Sequence, residues 1–134
     1  MNEFAQYEEL IKPLWSPPAS VFGPVWSLLY AIIAISFGAI FYKAFTGRIP
    51  RMLALPFALN LLFNIAFTPI QFGLKNNLLA SIDIVLVLGT LIWALYALWR
   101  TVPTMRWAAY VNIPYLLWVG FATILQLTVT YLNW

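Results

Sequence analysis

Three amide side chains stand in a stretch of sequence that is otherwise almost entirely apolar. Asn60, Asn64 and Gln71 lie within residues 52–73, and Phe67 falls between the second and the third. Spacings of four, three and four residues place all four side chains on one face of a helix. Two interpretations are open. The amides either hydrogen-bond to neighbouring helices, or they join the aromatic ring in contacting a ligand that carries a polar group on a flat apolar body.

Asp83 is the one acidic residue inside an apolar segment, close to the start of the third such segment. The positive end of a helix dipole stabilises a carboxylate at that position. We therefore expect Asp83 to cap its helix or to bond to a neighbour rather than to relay protons. A small proton-coupled transporter is the alternative, because such a protein needs a carboxylate within the membrane.

Aromatic residues recur at depths where membrane anchoring does not explain them. Trp26 and Tyr30 are one helical turn apart, and Trp118 lies near the middle of the segment 107–131. Trp and Tyr ordinarily collect at the two membrane interfaces, which suits Trp15 but not Trp118. We expect these rings to line the interior of a helical bundle.

The composition requires a membrane to solvate the chain. Of 134 residues, 63% are hydrophobic and 8% are charged, whereas soluble domains average about 45–50% and about 25%. A helix needs about 20 apolar residues to cross a bilayer, and four segments qualify. These predicted spans are 21–42, 52–73, 78–99 and 107–131. We predict an all-α integral membrane bundle over 21–134, preceded at 1–20 by an interfacial segment and a lid-like loop.

The distribution of basic residues predicts the orientation of the bundle. Short connections make neighbouring helices antiparallel, so four crossings leave both termini on one side. The loops 43–51 and 100–106 carry five of the seven Lys and Arg residues. The positive-inside rule therefore places these loops in the cytoplasm and both termini on the opposite side.

The absence of Cys and His limits the available chemistry. Disulfides, zinc or haem ligation by the usual side chains, and thiol or imidazole catalysis have no residues to support them. We predict no catalytic residue, no metal site, no required cofactor and no nucleic-acid partner. A stripe of small residues in the first span allows close approach of another helix, either of the same bundle or of a second subunit, and we expect a homodimer. The stripe consists of Ser27, Ala31, Ala34 and Gly38.

Several motifs resemble those of one membrane-protein family. Residues 15–30 resemble W-x-P-P…F-G-P-V-W-x-x-L-Y, and residues 63–73 resemble L-N-x-x-W-S-x-x-F-F. Residues 79–83 and 108–122 resemble L-A-x-x-D and A…P-Y-L-x-W-V-x-F-A. All four belong to the TspO/MBR family, the tryptophan-rich sensory or translocator proteins, and they occur here in the family's order.

The chain also departs from the family pattern. The family has five spans, and its first normally precedes the segment matched by residues 7–15, so we expect a shortened member without that helix. Phe67 stands where the family usually has Trp, Gln71 where it has Phe, and Gln126 where it has Asn. No basic residue follows Tyr131, so the cholesterol motif proposed for the family is absent.

The resemblance implies a receptor or sensory-type protein that binds porphyrins, such as protoporphyrin IX, or other planar hydrophobic molecules inside the bundle. The alternatives are a small membrane transporter, a light-dependent porphyrin-degrading enzyme and a structural subunit. The implied lid consists of Trp15, Pro17 and Pro18. The implied ligand-binding residues are Trp26, Tyr30, Asn64, Phe67, Gln71, Trp118 and Ala122.

Because the chain has no Cys, single cysteines can test the predicted orientation. We expect a membrane-impermeant maleimide to label Lys75→Cys in sealed vesicles of the native membrane whose cytoplasmic face is inside. Arg48→Cys should react only after the vesicles are permeabilised, because its loop carries the larger positive charge. The reverse labelling pattern would contradict the predicted orientation.

Overall fold

The computed structural model describes residues 10–16 and 19–133, without the side chains of Ala19 and Phe72. Every regular element in these ranges is helical. The α-helices are α1 (Phe22–Phe45), α2 (Ala54–Thr68), α3 (Asn77–Thr101), α4 (Arg106–Val111) and α5 (Ile113–Leu132). Single 3-10 turns precede α1, α2 and α4 at Ala19–Val21, Arg51–Leu53 and Pro103–Met105, and a π-helical turn at Pro69–Gly73 continues α2.

Four helical segments are long and apolar enough to cross a membrane. They are Phe22–Phe45, Arg51–Gln71, Asn77–Thr101 and Ile113–Leu132, with mean hydropathies between 1.5 and 2.3. The predicted all-α membrane bundle is therefore confirmed.

The predicted fourth span is wrong at its start. The segment predicted as one helix over 107–131 is divided at Asn112 into the short helix α4 and the membrane-spanning helix α5. The Asn112 backbone N–H donates to Ala109 O at 3.2 Å, in a tight turn that ends α4. Pro114 then occupies the first turn of α5, where a missing backbone N–H breaks no helical hydrogen bond.

The helix ends follow local backbone chemistry. Gly47 after α1 has a φ of +77°, in the left-handed region that favours glycine. Asn76 caps α3, since its side-chain oxygen accepts a hydrogen bond from Leu79 N at 2.9 Å. Asp83 is therefore not the cap that we expected. It lies seven residues further on and is buried, and its Oδ2 has no hydrogen-bond partner within the described ranges.

Interlocking aromatic and aliphatic side chains form the core between the helices. Phe37 of α1 meets Phe57 of α2 edge to face, with ring centres 4.8 Å apart, and lies 6.4 Å from the Tyr115 ring of α5. Leu91 and Leu98 of α3 are fully buried in the same cluster. Lipid tails are as apolar as these side chains, so close packing and interhelical hydrogen bonds, rather than removal from water, hold such helices together.

The outer surface of the bundle is apolar. Large side chains such as Ile35 (70% exposed), Ile65 (67%) and Leu117 (68%) point away from the core. Exposed apolar surface of this extent is rare on soluble monomers, but it is expected where acyl chains are the solvent.

Candidate functional site

A cavity of about 180 Å³ lies inside the bundle, with walls contributed by α1, α2, α3 and α5. The structure brings all seven residues of the predicted ligand-binding set to this wall. They are Trp26, Tyr30, Asn64, Phe67, Gln71, Trp118 and Ala122. The geometry thus supports a shared interior site, and ligand binding by these residues stays a prediction.

Sequence reasoning did not place eight further wall residues in the site. They are Leu10, Phe22, Thr68, Ile84, Val87, Leu125, Gln126 and Val129. Helical spacing offered a signal for two of them, because Thr68 follows Asn64 by four residues and Gln126 follows Ala122 by four. The aliphatic ones carried no such signal, because a membrane helix is apolar towards lipid as well as towards the core.

Aromatic rings form the wall between α1 and α5. Trp26 and Tyr30 stack with ring centres 5.4 Å apart, and Trp26 meets Trp118 edge to face at 6.5 Å. Trp118 also meets Phe22 at 5.9 Å. Edge-to-face and offset contacts are the favoured geometries for aromatic pairs. These contacts join α1 to α5 while leaving ring surface towards the cavity.

A chain of hydrogen bonds leads from the cavity wall into the core. Tyr30 OH donates to Asn64 Oδ1 at 3.2 Å, and Asn64 Nδ2 donates to Tyr115 OH at 2.6 Å. Tyr115 OH in turn donates to Asn60 Oδ1 at 2.8 Å. Asn60 Nδ2 then donates to Val87 O at 2.9 Å and lies 3.3 Å from Thr90 Oγ1. This chain connects all four membrane-spanning helices.

The two interpretations of the amides therefore apply to different residues. Asn60 is fully buried, and its amide serves the helix–helix contacts. Asn64 serves these contacts and also lines the cavity. A carboxamide has two N–H donors and an oxygen with two lone pairs. Among the described residues, Asn64 therefore has one N–H and one lone pair without a partner.

A second polar cluster lies where Gln71 and Gln126 meet. Gln126 Nε2 donates to Gln71 Oε1 at 2.9 Å, and Gln71 Nε2 donates to Asn77 Oδ1 at 2.7 Å. Thr130 Oγ1 donates to Asn77 O at 3.0 Å and lies 2.6 Å from Ser81 Oγ. Gln71 sits in the π-helical turn, a distortion that recurs at functional sites, and this turn places it with only 1% exposure.

The segment before α1 closes one part of the cavity, although not through the predicted lid residue. Leu10 lines the cavity, and both backbone polar groups of Ile11 bond to the Asn133 side chain, at 3.2 and 2.9 Å. Trp15 is half-exposed and contacts Phe121 with ring centres 5.8 Å apart, but it is not on the cavity wall. The other predicted lid residues, Pro17 and Pro18, lie outside the described residues.

The fold and the cavity define a class of protein: an all-helical integral membrane protein with an aromatic, amide-bearing interior site. The model of the TspO/MBR family matches residues 2–132. The chain therefore belongs to the TspO/MBR family, as its motifs indicated.

Several curated relatives are similar over most of the chain. The tryptophan-rich protein TspO of Bacillus cereus is 38% identical over 127 residues, which cover 95% of this chain and 80% of that protein. The tryptophan-rich sensory protein of Cereibacter sphaeroides is 32% identical over 96% of this chain and 77% of its own. The translocator protein of Homo sapiens is 34% identical over 90% of this chain and 70% of its own. Membership of this family supports a membrane sensory or receptor role.

The central position of Tyr115 in the hydrogen-bonded chain can be tested. Tyr115→Phe leaves Asn64 Nδ2 and Asn60 Oδ1 without their partner in the core, so we expect it to lower the free energy of unfolding by about 1–3 kcal/mol. Denaturation in detergent micelles, followed by circular dichroism, measures the change. Tyr131→Phe is the control, because Tyr131 is 82% exposed. Equal stability of the two variants would show that the buried hydroxyl contributes nothing.

Proposed function

We propose that this protein is a membrane receptor or sensory-type protein that binds porphyrins or other planar hydrophobic molecules in the interior cavity. The observation that carries the proposal is the convergence of stacked rings and cavity-facing amides on one partly open interior site. Trp26 and Tyr30 supply the aromatic surface, and Asn64 and Gln71 supply polar groups.

The positions of the polar groups suit a flat amphiphilic molecule. Asn64 and Gln71 are seven residues apart, or about 10 Å along a helix at 1.5 Å per residue. Phe67 lies between them on the same wall. A bound molecule would thus meet polar contacts near two edges and apolar contacts across its face. That pattern matches an aromatic macrocycle with polar substituents better than a compact hydrophilic solute.

The size of the cavity adds a condition to the proposal. At about 180 Å³ the cavity is below the range of about 300–1,000 Å³ that is usual for ligand sites. A porphyrin-sized ligand therefore requires the walls to separate, whereas a smaller planar molecule requires less movement. Tyr30, which is 47% exposed, and Thr68, which is also exposed, are parts of the wall that can move outwards without displacing the buried core.

Binding is favoured over proton-coupled transport by the position of the acidic residue. Such transport needs a carboxylate that the substrate or proton can reach. Asp83, the one acidic residue among those described, is buried on α3 outside the cavity wall.

The proposed function predicts saturable quenching of tryptophan fluorescence by protoporphyrin IX in detergent solution. Trp26→Phe and Trp118→Phe should each raise the dissociation constant about two- to tenfold, because each removes stacking surface from the wall. Trp93→Phe is the matched control, since Trp93 lies on the exposed face of α3. Quenching that does not saturate would contradict binding in the cavity. An equal rise in the dissociation constant for all three variants would contradict it as well.

Repeating this titration in light and in darkness separates binding from light-dependent degradation. Unchanged porphyrin spectra in both conditions support a receptor. Loss of the porphyrin spectrum in light alone, abolished by Trp26→Phe or Trp118→Phe, would support the enzyme alternative instead.

We also propose that the protein forms a homodimer through the small-residue stripe of α1. Ser27, Ala31, Ala34 and Gly38 are all on the exposed side of that helix. Small side chains let two helices approach closely enough for backbone contact, which is a main source of helix association in membranes.

Two glycine substitutions test this interface. A Cβ atom at Gly38 or at Gly89 would meet nothing within 4 Å in the monomer, and both glycines are exposed, so we expect one chain to accommodate Gly38→Leu and Gly89→Leu. We expect Gly38→Leu to shift the protein to a monomer in size-exclusion chromatography with light scattering, whereas Gly89→Leu should stay dimeric. A monomeric wild type, or a dimeric Gly38→Leu variant, would contradict the proposed interface.

A further inference from the structure

One end of the bundle carries a concentration of positive charge. Helices α1 and α3 end there, and their last turns and the residues that follow hold five cationic side chains: Lys43, Arg48, Arg51, Arg100 and Arg106. Asp83, the only acidic residue within 10–16 and 19–133, lies near the opposite end of α3. The described part of this basic end therefore has no carboxylate to balance its charge.

Two of these arginines donate hydrogen bonds to aromatic residues of α3. Arg106 Nε donates to the backbone oxygen of Trp99 at 3.0 Å, and its guanidinium carbon lies 3.9 Å from the centre of the Trp99 ring. Arg100 Nη1 donates to Tyr96 OH at 2.9 Å. Trp99 Nε1 donates to Tyr110 OH at 3.2 Å. We call these five residues the arginine–aromatic cluster.

The cluster leaves hydrogen-bond donors available. A guanidinium group has five N–H donors in a planar fork. In the described ranges, the contacts of Arg106 occupy Nε, and those of Arg100 occupy one N–H of Nη1. The terminal nitrogens of Arg106 remain as a pair, the arrangement that binds two oxygens of a phosphate group at once. The indole contact and the Nε hydrogen bond restrain the Arg106 side chain, so less side-chain entropy is lost when an anion binds.

We propose that the arginine–aromatic cluster binds the headgroup of an anionic phospholipid. The rings of Tyr96 and Tyr110 are each 60% exposed, and the α3 surface continues from them through the exposed side chains of Trp93 and Ile92. An occupant of this site meets two cations beside an apolar surface. A phosphate that carries acyl chains satisfies both features, whereas a soluble phosphate satisfies only the first.

The site differs from a general excess of basic residues. Charge alone explains orientation in the membrane, but it does not require guanidinium groups anchored to a ring and to a backbone oxygen. Arg51 is at the same end and exposed, and no aromatic contact holds it in the described structure. This difference provides a matched control.

The test measures lipid binding by the full-length protein in detergent. Phosphatidylglycerol or phosphatidylcholine is titrated in, and bound lipid is counted by native mass spectrometry. We expect a clear preference for phosphatidylglycerol. The double variant Arg100→Gln/Arg106→Gln should bind phosphatidylglycerol about thirtyfold more weakly. This is about the affinity that two basic residues add to the binding of an anionic lipid. The double variant Lys43→Gln/Arg51→Gln removes the same charge from the same end, and neither residue contacts an aromatic ring in the described structure. It should stay within about threefold of the wild type.

Three results would overturn the proposal. Equal losses in the two double variants would show a diffuse charge effect, and equal binding of phosphatidylcholine would show no headgroup selection. Displacement of the lipid by millimolar inorganic phosphate would assign the cluster to a soluble anion. If the glutamine variant does not fold, Arg106→Lys decides, since it keeps the charge but loses the planar fork. Weaker phosphatidylglycerol binding by Arg106→Lys supports the cluster, and unchanged binding overturns it.

Discussion

The structure depends on the need of buried polar groups to find partners inside the protein. No water is available at the centre of a bilayer, and an unpaired amide or hydroxyl there costs several kcal/mol. Asn60 and Asn64 of α2 meet this need by bonding to the Tyr115 hydroxyl of α5. Their hydrogen bonds fix the distance and rotation of those helices, and so they also fix where a cavity can form.

The cavity lies where this polar chain ends. The Tyr30 hydroxyl is the last group of this chain. Beside it, aromatic rings rather than hydrogen bonds form the contact between α1 and α5. The same residues thus have two roles, because Asn64 stabilises the bundle and also offers a polar group to the interior.

This double role affects how substitutions at the site are interpreted. A change at Asn64 alters both helix packing and the cavity wall, so weaker ligand binding by such a variant has two possible sources. Trp26 and Trp118 have no side-chain hydrogen bond within the described ranges, and the Trp118 Nε1 atom is buried without a partner. Their replacement by Phe therefore changes the aromatic surface and leaves the amide chain intact.

Hydrophobic length and helical spacing were sufficient to predict much of the protein from its sequence. Four apolar segments of about 20 residues determined the number of crossings, because a bilayer has a fixed thickness. The spacing of Asn60, Asn64, Phe67 and Gln71 determined that they share a face. Family motifs then indicated the seven wall residues, and the structure gathers them around one cavity.

Only the tertiary structure decided which partner each polar group has. The sequence could not show that Asn76 rather than Asp83 caps α3, or that Asn60 serves the helices while Asn64 also faces the cavity. It also predicted a continuous helix where Asn112 separates α4 from α5. The physical reason is that helical periodicity is a local property of the chain. A hydrogen-bond partner or a cavity depends on residues brought close from other helices.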